Sequence, residues 1–207
     1  MYTCYVAMGD SLTEGIGDDI IGYEKLPFPE QLAHHLNIQT LHNLGTSGLR
    51  SDQVLQTQLQ QTLDLKPDLV SITAGGNDIL QKRFNKRRFK RHMRTILHAL
   101  RQEECVILTC TIPDLFDVLT IPLPHYQRFI GRLWLRQFND AMNELAKEFN
   151  TLHLDFYHHD LAVDQSIWSS DAIHPNAKGY FEIANAYADL LKTNALTPQK
   201  GAVLKKP

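Results

Sequence analysis

Long apolar runs are missing from this 207-residue chain. No segment approaches the ~18 consecutive apolar residues of a membrane-spanning helix, so no span is expected. Cysteine is scarce. Cys4, Cys105 and Cys110 are an odd set without metal-ligand spacing, which argues against a disulfide framework and reads as reduced core thiols. An excess of one charge is also lacking: 21 Lys and Arg stand against 23 Asp and Glu. The resulting net charge of −2 exerts no global pull toward nucleic acid or anionic membranes. The first residues carry no basic stretch, long apolar stretch or small-residue cleavage site, so no signal peptide and a cytoplasmic setting are expected. Neither an internal repeat nor a linker stands out. The length and the 43% apolar content suit one domain with a full core, expected over residues 1–193, and a poorly ordered tail over 194–207.

What is present is an alternation. Strand-like runs at Thr3–Met8, Thr40–Leu44, Leu69–Ala74, Val106–Thr109 and Leu152–Phe156 are separated by segments of helical periodicity. Leu55, Leu59 and Leu63 recur as one helix face would, as do Phe89, Met93, Ile96 or Leu97, and Leu100, and Phe138, Met142, Leu145 and Phe149. A last helix is expected after Pro175, with Tyr180, Ile183, Ala184, Tyr187 and Leu191 facing inward. Alternating strands and helices predict a parallel sheet covered on both faces. Right-handed crossovers then gather every strand's C-terminal end on one edge, where ligands bind.

Four polar clusters fall at that edge or at a helix entry. The first strand runs into Gly9-Asp10-Ser11, a corner that can expose a hydroxyl. The second ends in Asn43-Leu44-Gly45-Thr46-Ser47-Gly48, where glycines let backbone N–H groups come close to a ligand. The third ends in Gly75-Gly76-Asn77-Asp78, which offers a neutral amide donor, with Asp78 read as a cap. The fourth is Asp171-Ala172-Ile173-His174-Pro175. Proline keeps His174 out of helical geometry, and a spacing of three lets Asp171 reach one ring nitrogen while the other faces Ser11. A serine needs a positioned base, and the base an orienting group. Read singly, each cluster is equally a helix cap or a turn; together they supply a nucleophile, a base and its partner.

In order and position, GDSLTEG, NLGTSG, GGND and DAIHP resemble the four signature blocks of the SGNH hydrolases, also called the GDSL esterase/lipase family. The resemblance spans Gly9 to Pro175. It implies a flavodoxin-like three-layer α/β/α sandwich on a five-stranded parallel sheet. It also implies a serine esterase or lipase that works on acyl esters through an acyl-enzyme, possible substrates including lysophospholipids, with no cofactor and no metal. By the same resemblance Ser11 is the nucleophile and lends an N–H to the oxyanion hole. Gly48 lends a second N–H, Asn77 its amide, and Asp171 and His174 complete the triad. Gly45 stands second to Gly48 for that donor. The other common serine-hydrolase motif does not fit, because Thr13 stands where it requires glycine.

Three further stretches carry alternatives. His153-Leu154-Asp155-Phe156-Tyr157-His158-His159-Asp160 is dense in potential metal ligands, and a metal-dependent phosphoesterase would use such a cluster. A non-catalytic binding protein on the same fold is the other rival. Lys82–Arg91 opens a basic helix, over about 82–94, which reads as a solvated charged face with local attraction for anions as the alternative; nucleic-acid binding is not expected. The proline-broken apolar stretch after the fourth strand places Leu115, Phe116 and Leu119 as candidate walls of an acyl pocket.

Overall fold

The computed structural model describes residues 2–114, 116 and 123–196. Strands β1 (Cys4–Gly9), β2 (Thr40–Asn43), β3 (Leu69–Thr73), β4 (Val106–Cys110) and β5 (Leu152–Leu154) form one sheet in the order β2-β1-β3-β4-β5. Every pairing is parallel. The helices are α1 (Ser11–Glu14), α2 (Phe28–Leu36), α3 (Ser51–Asp64), α4 (Gly76–Leu80), α5 (Lys86–Gln102), α6 (His125–Phe149) and α7 (Ala177–Leu196).

The period of two along β1 divides the core. Val6 and Met8 point into the layer of α3, α5 and α6, whereas Tyr5 and Ala7 point into the layer of α2 and α7. Both sets are fully buried, as expected for a central strand of a sheet covered on both sides. The α/β/α sandwich and the five parallel strands match the expected fold. The α5, α6 and α7 stripes also bury as expected, except that Phe149 is only partly buried. The fifth strand is shorter than expected: Phe156 opens a 3-10 turn over Phe156–His158. The last helix continues to Leu196, so the segment expected to begin a tail at 194 is still helical there, and residues 197–207 lie outside the described residues.

Helix α3 departs from its pattern. Leu55, Leu59 and Leu63 are only partly buried, and the innermost face carries Val54, Gln58 and Thr62. The reason is polar. Gln58 Oε1 accepts from Gly9 N (2.8 Å), while Nε2 donates to Gly9 O (2.9 Å) and Leu44 O (2.7 Å). These are backbone groups at the ends of β1 and β2; Gly9 O also accepts from Thr46 N (3.2 Å), but Gly9 N and Leu44 O, if left unpaired inside the protein, would cost about 1–3 kcal/mol each. That requirement rotates α3 by a fraction of a turn away from its leucine stripe.

Part of the charge of the basic helix is paired across its packing seam. Lys86 and Lys90 both pair with Glu144, and Arg94 pairs with Glu148 through two N–H···O bonds of 2.7 Å. Among the described residues no helix is long and apolar enough to cross a membrane.

Candidate active site

All four clusters meet above the C-terminal ends of β1, β2 and β3. Gly9 ends β1 with a φ of +155°, and a Cβ there would lie 2.2 Å from Thr13 Oγ1 and 2.4 Å from Thr73 O. Only glycine fits that approach. Asp10 then caps α1, its Oδ1 accepting from Leu12 N at 3.1 Å. Ser11 is therefore the first helical residue, and its N–H belongs to the first-turn amides that have no intrahelical partner.

The loop that brings in the histidine is fastened at both ends. Ser169 N donates to His174 O (2.8 Å), and Ser169 Oγ donates to Pro175 O (3.0 Å). Ser170 N donates to Asp18 Oδ2 at 2.7 Å, tying the loop to the chain that follows α1. Inside the turn, Asp171 Oδ1 accepts from Ile173 N (2.9 Å) and His174 N (3.0 Å). Its other oxygen lies 2.6 Å from His174 Nδ1, and His174 Nε2 lies 2.8 Å from Ser11 Oγ. The three residues predicted to act together thus form one hydrogen-bonded line, although 160 positions separate Ser11 from Asp171. Burial works against the Asp171 carboxylate, but bonds from the His174 ring and the His174 and Ile173 amides outweigh it and hold the group below its usual range.

The two glycines of the second cluster have different surroundings. Gly45 N donates to Asn43 Oδ1 (2.9 Å), and a Cβ on Gly45 would lie 2.2 Å from Glu14 N. Its role is close packing on α1. Gly48, at φ +79°, lines the cleft beside Ser11, and Gln81 Nε2 holds its carbonyl at 2.9 Å. Asn77 also lines the cleft, with Nδ2 donating to Asp10 Oδ2 (3.2 Å) and Leu49 O (3.1 Å). Asp78 is a cap, but for α3: its carboxylate takes Ser51 N (2.8 Å) and Ser51 Oγ (2.9 Å).

Sequence reasoning read Asp10 only as a cap, which it is, and missed its buried place at the site; it missed Gln58 altogether. Asp10 is buried beside the histidine, and loss of water pushes its carboxyl up to about 6 despite the bonds from Leu12 and Asn77. Its position between Gly9 and Ser11 was the available signal. For Gln58 there was none.

The histidine-rich run does not converge on a point. His153 Nδ1 bonds Thr109 Oγ1, Asp155 bonds Thr111 Oγ1 and His158 Nδ1, and His159 Nδ1 accepts from Leu161 N. His153 and Asp155 do share a face, as expected, but no group of three or more ligand-type side chains placed to hold a metal occurs among the described residues. Of the candidate pocket walls, Leu115 and Leu119 lie outside the described residues. Phe116 is buried against Gly131 and does not line the cleft that holds Ser11.

The model of the GDSL-like lipase/acylhydrolase family matches residues 7–180. The chain belongs to this family. It is accordingly an ester hydrolase of the esterase/lipase type. Solved structures of similar fold include a putative GDSL-like lipase from Parabacteroides merdae, at 22% identity and TM-score 0.74, covering 92% of this chain and 95% of that one. A lipase/acylhydrolase from Enterococcus faecalis is similar at 19% identity and TM-score 0.72, with coverage of 93% and 96%. So is the psychrotrophic esterase EstA of a Pseudoalteromonas species, solved inhibited by monoethylphosphonate, at 18% identity and TM-score 0.69, with coverage of 94% and 99%. Among curated proteins none matches significantly. In GDSL terms, the matched span contains all four clusters.

Proposed function

We propose that this GDSL hydrolase cleaves acyl esters through a serine-bound acyl-enzyme, with Ser11 as nucleophile, His174 as general base and acid, and Asp171 as the group that orients the ring. The observation that carries this is His174 bridging Ser11 Oγ at 2.8 Å and Asp171 Oδ2 at 2.6 Å. Both distances lie within direct hydrogen-bond reach, as proton transfer requires.

Ser11 Oγ attacks the carbonyl carbon while its proton passes to His174 Nε2, and the carbonyl π pair moves onto oxygen. The N–H groups of Ser11 and Gly48 and the Asn77 amide receive that oxyanion. The commitment of the Gly45 amide to Asn43 favours Gly48 as the loop donor. Asn77 must exchange one of its present acceptors, Asp10 or Leu49 O, for the oxyanion. Collapse breaks the bond to the alcohol, which leaves with the proton from His174, and water repeats the cycle on the acyl-enzyme. Lysophospholipids are one candidate substrate class. A cytoplasmic setting belongs to the same proposal, supported by three cysteines that are all free thiols.

The test is Ser11→Ala combined with a serine-directed fluorophosphonate. The wild type should label and hydrolyse p-nitrophenyl acetate; the variant should do neither, with an unchanged melting temperature. Near-normal hydrolysis by Ser11→Ala would remove the assignment. Activity lost in EDTA and restored by a divalent ion would instead favour the phosphoesterase reading of the 153–160 run.

A further inference from the structure

Ser11 stands at the mouth of a cavity of about 220 Å³ whose walls are mostly apolar. Burial grades its depth. Leu80 at the rim is 40% exposed, Ile112 and Ile173 are partly buried, and Ile72, Phe138 and Met142 are at most 2% exposed. The inner walls are thus core side chains of β3 and α6, and the cavity reaches into the layer under α6. Lining the same space are Ala74 at the end of β3 and Trp168 next to the catalytic loop.

Resting on the ester-hydrolase reading, we infer that this cavity is the acyl site, and that it takes a slender, medium-length aliphatic chain inserted toward Phe138 and Met142. The chemistry follows from the walls. Apolar surroundings favour methylenes at about 0.8 kcal/mol each and penalise an unpaired hydroxyl or charge. The volume is below the ~300–1,000 Å³ of pockets for drug-sized ligands, and the mostly apolar walls offer too few partners for the hydroxyls of a sugar or the charges of a lipid headgroup. At roughly 30 Å³ per water-sized group the space holds about seven such groups. The chain-length gain should therefore stop near an octanoyl group. The site that measures the chain is the buried end formed by Phe138 and Met142, with Ala74 on the same wall.

Two readouts test this. The first is kcat/KM on p-nitrophenyl esters from acetate to palmitate. The wild type should peak near octanoate. Ala74→Leu narrows the cavity and should lower kcat/KM on octanoate at least tenfold more than on acetate, because one methylene in such a pocket is worth about tenfold or more. Met142→Ala lengthens the cavity and should move the optimum to longer chains. The second readout is binding of fatty acids to Ser11→Ala, followed by the fluorescence of Trp168 with Trp168→Phe as the blank. Each methylene should tighten binding about threefold to fourfold up to octanoate and add little beyond it.

Both variants scaling all chain lengths alike, while still folded by thermal melt, would overturn the acyl site. So would fatty-acid affinity independent of chain length. Loss of all ester hydrolysis in the wild type with the binding series intact would sink the catalytic reading and leave the cavity assignment standing.

Discussion

The protein contains the same Asp-x-x-His pair twice. Asp155 Oδ2 lies 2.7 Å from His158 Nδ1, and Asp171 Oδ2 lies 2.6 Å from His174 Nδ1. Their surroundings differ. The His158 side chain is 73% exposed, whereas that of His174 is 19% exposed and its second nitrogen reaches Ser11. A carboxylate-oriented imidazole is a local product of a tight turn, and four residues suffice to make it. Position decides whether it can do chemistry: one pair sits beyond β5, the other opposite the end of β1 at an apolar cavity. The dense 153–160 run therefore has more titratable groups than the 171–174 turn and a weaker case for function.

The largest expected effect separates the two pairs outright. Asp171→Asn should lower kcat on p-nitrophenyl esters by about 10⁴-fold, because an amide facing Nδ1 favours the wrong tautomer for a ring that must accept from Ser11. Asp155→Asn should leave kcat within about twofold. Equal losses, measured on samples with matched circular dichroism spectra, would mean that the outer pair takes part after all and would erase the distinction.

A third carboxylate sharpens the contrast, since Asp10 is shifted the opposite way. Burial raises its pKa from 3.8 to about 6. A raised carboxyl holds its proton longer in the folded than in the unfolded state, so stability is greatest below 3.8 and falls as pH rises through the window to about 6. Two pK units correspond to at most about 3 kcal/mol. Asp10→Asn should remove that slope and be relatively more stable at pH 7 than at pH 4, by less than this limit, because its new amide faces the Asn77 donor. Urea melts of both proteins at pH 4, 5, 6 and 7 read the difference, and parallel curves would show that Asp10 keeps an ordinary carboxyl.

How much of this could be read from the sequence depended on how local each feature is. The Ser11 corner, the two glycine-bearing loops and the Asp171–His174 turn are each contained in eight residues or fewer, so residue type and spacing made them legible. The long-range arrangement was legible only through strand order. The rotation of α3 was not legible, because the Leu55-Leu59-Leu63 stripe fits a buried face and nothing local reveals that Gln58 must satisfy Gly9 and Leu44. The cavity was legible only in part. The apolar stretch after β4 suggested a wall, and Ile112 and Pro113 of it do line the cavity, but Ile72, Phe138 and Met142 line it too and in sequence look like ordinary core.

The smallest expected effect shows where the two pairs are alike. Hydrogen bonds to Asp171 and Asp155 overcome the burial that opposes them and hold both carboxyls below 3.8. For a depressed carboxyl the contribution is complete above 3.8 and is lost as pH falls through the folded value, so both pairs favour the native state at neutral pH and cease to do so in acid. Both Asp side chains are more than a third exposed, at 45% and 48%, so solvent screening keeps each contribution under about 1 kcal/mol. Asp171→Asn and Asp155→Asn should therefore lower stability at pH 7 by similar small amounts, and the deficit should shrink for both below pH 4. Urea melts at pH 7 and pH 3 measure it. A deficit confined to Asp171→Asn would mean that the exposed pair is not formed in solution. Matching deficits, set beside a 10⁴-fold difference in kcat, would show that the fold treats the pairs alike and that only the contact with Ser11 sets them apart.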